Sequence, residues 1–417
     1  MFVEPWLSRA ARRHPEREAL RTAEGSLSYA ALHDAARCAA AALPEAGTWV
    51  GLALPPGRDL AVALHACLLA GTPAVPVDPR LGERERAAVT ARCGVVVSEP
   101  LLAGRPLDAR EHDLDAPAIV VHTSGTSGAP KPIALTYGNW LWSALGAHTA
   151  MGLRGDERWL CALPLSHVGG LSILVRSAIY GTTAIVHERF EVGAALAALR
   201  ADATVVSLVP TTLSRLLDAG LADPPALRAA LIGGAPIPPA LLARAEAAGV
   251  RTMQTYGLTE ACSQVTTEGR PLFCTRVALE PDGEIVVSGP TVAPGSGPRL
   301  PTGDLGAFDA DGTLRVVGRK ADTIVTGGEN VAPSEVEAVI EAHPAVAQAA
   351  VLGRPDPEWG EAIAALVVVR EGEAVSAAEL RAHCRARLAS FKVPKRYDFV
   401  DGLPRTPSGK LIRRELA

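Results

Sequence analysis

Between His122 and Pro132 the chain reads HTSGTSGAPKP, a run of hydroxyl residues and glycines that ends on a lysine and a proline. Small residues leave backbone N–H groups and hydroxyls open to an anion, and glycine lets the chain approach a polyphosphate closely. Lys131 adds a positive charge on a flexible stem. The spacing is not that of a Walker A loop, which needs four residues between its first glycine and a GK[ST] triplet. Here Gly125, Gly128 and Lys131 are spaced by threes, and GxGxxG does not fit either. Composition alone allows a Ser/Gly surface turn as well as a phosphate loop. The apolar run Ala118-Ile119-Val120-Val121 before it and the Pro-Lys ending favour phosphate.

Other residues of the right chemical type are scattered along the chain. Thr259 and Glu260 follow Tyr256-Gly257-Leu258, Asp304 sits in a TGD turn, and Arg319 follows Gly318. Gly233, Gly234 and Ala235 end an apolar stretch, Gly327 and Gly328 precede Glu329-Asn330, and Lys410 closes PRTPSGK. Each has an ordinary structural reading. Thr-Glu caps a helix, a turn aspartate is common, a tyrosine packs in a core, and Lys410 is a solvated lysine beside Arg413 and Arg414. A lone histidine such as His167 is more often structural than a ligand contact.

Taken in order, these motifs resemble the superfamily of adenylate-forming enzymes: acyl-CoA synthetases, luciferases and peptide-synthetase adenylation domains. TSGTSGAPK, YGLTE, TGD, GR, GGEN and PRTPSGK follow one another in the family order over nearly the whole chain. The resemblance implies ATP, Mg²⁺ and coenzyme A as co-substrates and cofactor. It implies that Thr123, Ser124, Gly125, Thr126, Ser127, Gly128 and Lys131 embrace the β- and γ-phosphates. By the same resemblance Thr259 contacts the α-phosphate, Glu260 holds Mg²⁺, Tyr256 lies against adenine, and Asp304 binds the ribose hydroxyls with Arg319 nearby. Gly233, Gly234 and Ala235 fit the nucleotide-side loop. Lys410 is the implied adenylation lysine, carried on a C-terminal domain that rotates between half-reactions, and Gly327-Gly328 lies on the surface for the thiol step. The hinge position, commonly Asp or Lys, is Ala321 here, preceded by Lys320.

A finer resemblance, to o-succinylbenzoate–CoA ligases, rests on Trp159–Leu174, on Asn139 with Ser143–Gly146, and on Arg176–Gly181. It implies an aromatic dicarboxylic acid substrate, with His167 close to the acid and Ser207, Thr211 and Thr212 lining the pocket. Ser166 departs from the usual Phe. Only 43 residues separate Glu260 from Asp304, which implies trimmed loops. Another aryl- or acyl-CoA synthetase, or an enzyme loading a carrier protein, would use the same machinery. A non-catalytic nucleotide-binding scaffold would not need Lys410, Glu260 and Asp304 together.

The elements that must position these residues are legible from periodicity. The 417 residues are 48% hydrophobic but only 4% aromatic, enough for more than one core, filled mainly by Ala, Val and Leu. A net charge of −4 and no concentrated basic tract speak against nucleic acid. Seven cysteines without CxxC spacing read as free thiols in a reducing compartment. With no apolar signal segment or spanning run, the expectation is a cytoplasmic protein without stable membrane insertion; a homodimer stays open. Helices are expected at 28–43, 59–70, 191–200, 211–219, 238–248, 333–342 and 377–388. Strands are expected at 49–54, 72–77, 118–121, 204–209, 229–232, 345–352 and 363–369, and a further buried one at 95–97. Short strands between Pro/Gly/Asp turns mark 280–318, and 396–417 reads as polar and turn-rich. The expected fold is a large α/β N-terminal domain, 1–318, with layered sheets and an appended antiparallel section. A small mobile α+β C-terminal domain, 319–417, follows.

Overall fold

Alternating apolar strands and helices of this length bury both faces of a parallel sheet, and the chain does this twice. The computed structural model describes residues 1–101, 104–124, 130–405 and 411–416. Among the described residues, one five-stranded sheet has the order Val95–Val97, Val50–Leu52, Ala74–Pro76, Pro117–Ser124, Pro130–Thr136. Its strands are parallel except the last, which folds back antiparallel on Pro117–Ser124. A nine-stranded sheet is parallel through Glu18–Thr22, Thr183–Val186, Arg158–Cys161, Val205–Leu208, Ala229–Ile232 and Thr252–Leu258. Antiparallel strands finish both its edges.

The main core lies between these sheets. Helices Arg58–Ala70, Tyr137–Met151 and Val168–Tyr180 supply Leu64, Trp140 and Ile173 to it, against Ile119 of one sheet and Trp159 of the other. Helices Val192–Ala201, Pro210–Asp218 and Pro239–Ala247 cover the outer face of the larger sheet in a second core. Helix starts follow local chemistry: Ser28 accepts the Ala31 N–H ahead of Tyr29–Ala40, and Ser376 accepts the Glu379 N–H ahead of Ala377–Arg385. An antiparallel four-stranded sheet spans Arg276–Leu279, Glu284–Ser288, Leu300–Phe308 and Leu314–Arg319. A separate core then begins at Ile324, under a sheet built on the long hairpin Val346–Asp356 and Gly360–Val369.

Two expectations are corrected. Val95 and Val96 are exposed, because Val95–Val97 is an edge strand paired only to Val50–Leu52. Thr302-Gly303-Asp304 is not a turn: it lies inside the strand Leu300–Phe308, where Gly303 takes a left-handed φ of 72° and kinks the ladder. Within the turn-rich segment 396–417, Arg396–Phe399 forms a short strand paired parallel with Gly360–Val369. All seven cysteines are free. No helix among the described residues is long and apolar enough to cross a membrane.

Two buried histidines make this fold acid-sensitive. His65 sits in the main core and His112 accepts the Trp6 N–H at 3.4 Å beside the rings of Trp6 and Tyr137. Burial pulls their pKa values down from 6.5 to about 4 and about 3, with His65 adding to the shift of His112. The folded chain therefore holds fewer protons than the unfolded one below pH 6.5, so this stability is present above 6.5 and is lost as pH falls through 4. Each imidazole contributes a slope of up to about 1.4 kcal/mol per pH unit in that window. Thermal melts from pH 7.5 to 4.5 are expected to show a falling Tm, and His65→Gln a shallower fall. An unchanged slope in the variant would refute the role of His65.

Candidate active site

The carboxyl ends of parallel strands leave a crevice where backbone groups and loops converge; Tyr256 follows the parallel part of its strand, while Asp304 and Arg319 come from the antiparallel four-stranded sheet. Tyr256 is on Thr252–Leu258, Asp304 on Leu300–Phe308 and Arg319 at the end of Leu314–Arg319. The antiparallel register sets Asp304 opposite Arg319, and their side chains meet at 2.7 Å. The Tyr256 hydroxyl donates to the other Asp304 oxygen at 2.8 Å, and the Asp304 N–H is held by the Thr302 hydroxyl. Asp304 is buried, while Arg319 is half exposed. Burial and the neighbouring carboxylate hold the Tyr256 phenol well above its usual pKa, so it stays a neutral donor. The result is a carboxylate flanked by an aromatic ring and a cation, suited to a ribose beside a planar base.

Gly233 and Gly234 stand next to this group. A Cβ on Gly233 would lie 2.6 Å from the Thr255 side chain and 2.8 Å from its carbonyl oxygen. Gly234 has a φ of 81°, which favours glycine. Ala235 follows, partly exposed. Thr259 and Glu260 form the short 3₁₀ turn Thr259–Ala261 immediately after the Tyr256 strand. The backbone carbonyl of Glu260 accepts from the Ala293 N–H at 2.7 Å, but among the described residues its carboxylate has no hydrogen bond or ion pair. An unpaired oxygen donor at this position fits Mg²⁺, a hard cation that takes carboxylate and phosphate oxygens.

Thr123 and Lys131 face each other across the antiparallel hairpin Pro117–Ser124/Pro130–Thr136. The second strand of that hairpin packs against the Thr259–Ala261 turn, and Lys131 near its start is exposed. Gly125, Thr126, Ser127, Gly128, the side chain of Ser124, and Lys410 lie outside the described residues. Gly327 and Gly328 lie on another sheet, as the two positive-φ residues of a tight hairpin between Ile324–Thr326 and Glu329–Val331. Ala321 is in the short turn Lys320–Asp322, and Lys320 pairs with Asp282 at 2.6 Å and Glu284 at 2.8 Å.

His167 precedes Val168–Tyr180 as its N-terminal cap residue and is exposed to solvent, although protein atoms crowd around it. Burial lowers its pKa, with Asp78 opposing and Arg80 reinforcing that shift. Of the threonines expected near the acid, Thr212 spends its hydroxyl capping Pro210–Asp218 through the Val209 N–H. Ser207 instead accepts the indole N–H of Trp159 at 3.0 Å.

That indole leads to a residue to which sequence reading assigned no role. Arg176 is 1% exposed in the middle of an apolar helix. It donates to Gln264 at 2.7 Å and to Ser143 at 3.0 Å, and its guanidinium lies 5.9 Å from the Trp159 ring centre. No carboxylate among the described residues pairs with it, and its Nε has no hydrogen-bond partner. Burial lowers its pKa. A buried cation normally has a counter-charge, so an unpaired one calls for an anionic ligand. A lone charge in the run VGGLSILVRSAIY was the sequence signal.

Comparison with known proteins identifies the family and the fold. A family model described as AMP-binding enzyme matches residues 7–99 and 97–296, and one described as AMP-binding enzyme C-terminal domain matches 335–410. A 2-succinylbenzoate–CoA ligase of Bacillus subtilis is 35% identical over 475 aligned positions, covering 99% of this chain and 97% of the relative. The structure of o-succinylbenzoate CoA synthetase from Bacillus subtilis with its acyl-adenylate intermediate superposes with a TM-score of 0.91 at 34% identity. That match covers 100% of this chain and 98% of the other. The same enzyme with ATP and magnesium ion also gives 0.91 at 34% identity, with 100% of both chains covered. With both of its parts matched, in order and nearly end to end, the chain belongs to the AMP-binding enzyme family.

Proposed function

We propose that this chain is an acid–thiol ligase that activates o-succinylbenzoate with Mg·ATP and passes the acyl group to coenzyme A. Arg176 carries the choice of acid. A buried, unpaired guanidinium suits a substrate with a second carboxylate, and Trp159 beside it suits an aromatic ring. A fatty acid or a simple benzoate would leave that cation uncompensated. Among the described residues no carboxylate is hydrogen-bonded to Ser207, where one would hold an amino-acid ammonium group, which disfavours an amino-acid-loading enzyme.

In the first half-reaction a carboxylate oxygen of the acid attacks the α-phosphorus of ATP, and pyrophosphate leaves with the electron pair of the broken P–O bond. In the second, the thiol sulfur of coenzyme A attacks the acyl carbon, AMP leaves, and the thiol proton is released. Asp304 holds the ribose hydroxyls, Tyr256 and Arg319 fix its carboxylate, and Gly233, Gly234 and Ala235 admit the base. Thr259 meets the α-phosphate, while Thr123 and Lys131, with 124–128, hold the outer phosphates. Glu260 would hold Mg²⁺, which when bound neutralises charge on the phosphate oxygens. His167 bounds the acid. Lys410 bridges the attacking carboxylate and the α-phosphate, carried by a unit 319–417 that turns on 1–318 and brings Gly327-Gly328 to the thiol. Reducing surroundings suit the chain's seven free cysteines.

Incubation with Mg·ATP, coenzyme A and a panel of o-succinylbenzoate, benzoates and short fatty acids, with products identified by mass, tests the reading. The expected product is o-succinylbenzoyl-CoA with AMP and pyrophosphate. Efficient conversion of another acid, with o-succinylbenzoate untouched, would overturn it. Within that assay Asp304→Asn is expected to raise the KM for ATP about 10- to 100-fold, the weight of a hydrogen bond to a charged group. An unchanged KM for ATP would remove Asp304 from the nucleotide site.

A further inference from the structure

Asp78 and Ser166 come from different sheets. Asp78 lies two residues beyond Ala74–Pro76 of the five-stranded sheet, at the carboxyl end of a parallel strand. Ser166 lies beyond Arg158–Cys161 of the nine-stranded sheet, also at a carboxyl end, and immediately precedes His167. The Ser166 hydroxyl donates to Asp78 Oδ2 at 2.9 Å. The Asp78 carboxylate is itself fixed, because Arg80 donates to Oδ1 from its side chain at 2.7 Å and from its backbone at 3.0 Å. The Asp78 side chain is 12% exposed. Burial would raise its pKa, but Arg80 and Ser166 more than offset this and hold it at about 2, so it is an anion at any working pH.

We infer that Asp78 is a positioning residue for the acid site: through Ser166 it fixes the loop that carries His167, joining the crevice edges of the two sheets. This rests on the acid-binding place given to His167 under the proposed function. The physical argument is geometric. His167 has no side-chain hydrogen bond at the helix start it caps, so the neighbouring Ser166–Asp78 contact ties its loop to the other sheet. A hydroxyl on an ionised, doubly held carboxylate is stronger and more directional than one on a neutral group. A loop held within a fraction of an ångström keeps the acid aligned, and loosening it costs acid binding before it costs nucleotide binding.

The test uses the full-length enzyme with Ser166→Ala, Asp78→Ala, the double variant and Ser166→Thr. Each single alanine variant is expected to raise the KM for the acid about 3- to 10-fold, with the KM for ATP unchanged, a fraction of the full weight of a charge-assisted hydrogen bond because the contact holds the loop and not the acid itself. The double variant should match the worse single one, because both remove the same contact, and Ser166→Thr should restore the acid KM. Thermal melts establish that each variant is folded. Multiplying effects in the double variant, or equal rises in the KM for ATP and for the acid, would overturn the inference. Acid-dependent ATP–pyrophosphate exchange with whichever acid the wild type converts serves as the readout. A wrong acid assignment therefore shows in the wild type, and a wrong positioning role only in the variants.

Discussion

Arg176→Met is expected to lower kcat/KM for o-succinylbenzoate by about 10²- to 10³-fold, the effect of removing one partner from a buried ion pair. The same substitution should leave the KM for ATP unchanged, because the nucleotide group at Tyr256, Asp304 and Arg319 shares no residue with Arg176. The expectation on stability is distinctive. Among the described residues the buried guanidinium has no counter-ion, so an apolar side chain of similar length relieves a desolvation penalty while it strands the Gln264 oxygen. These oppose each other, and the Tm should move little. Kinetic loss confined to acids with two carboxylates, at near-constant Tm, is the signature of a substrate anchor. A large fall in Tm with equal loss for every acid would make Arg176 a core residue and sink the dicarboxylate reading.

Lys410→Ala is expected to slow acyl-adenylate formation by about 10²- to 10³-fold, the range for deleting one group that stabilises developing charge. Transfer to coenzyme A from a supplied acyl-adenylate should change far less, since the lysine acts on the phosphoryl step. Lys410 is outside the described residues, but both of its flanks are anchored. Arg405 and Leu411 form an antiparallel bridge, and the Ile412 N–H reaches the Pro404 carbonyl at 2.9 Å. Arg413 then pairs with Asp322 at 3.0 Å and Glu337 at 2.8 Å, and donates to the Val351 carbonyl at 2.7 Å. The base of the lysine segment is thus tied to the Lys320–Asp322 turn and to the helix Pro333–Glu341. Equal losses in both half-reactions, measured by rapid quench, would refute the assignment.

Much of the fold was legible because its signals are local. Ser28 before Tyr29–Ala40, the apolar strand Ala229–Ile232 ending in Gly233-Gly234, and Ser376 three residues before Glu379 each carry their own start or stop chemistry. Errors arose where a neighbour decides. Val95 and Val96 are as apolar as a buried strand, and only their place at a sheet edge exposes them. Asp304 reads as a turn residue from its Thr-Gly context, yet the ladder with Leu314–Arg319 keeps it in a strand. The helix Glu83–Thr90 was missed because it buries only Val89 and so shows no apolar stripe.

The same division holds for the site. From the sequence the reaction class came through resemblance: TSGTSG with Lys131, Thr259 with Glu260, the aspartate of TGD, and Lys410 after PRTPSG each have an ordinary structural reading alone, and only their shared order resembles the adenylate-forming superfamily. Register then joined Tyr256, Asp304 and Arg319, which the spacing had placed only in order. The proposed acid anchor is visible only in the tertiary structure. Ser143, Trp159, Arg176, Ser207 and Gln264 come from two helices and three strands, and each is unremarkable where it stands. Their meaning lies in burial: a guanidinium within reach of water needs no partner, whereas one sealed between two sheets does.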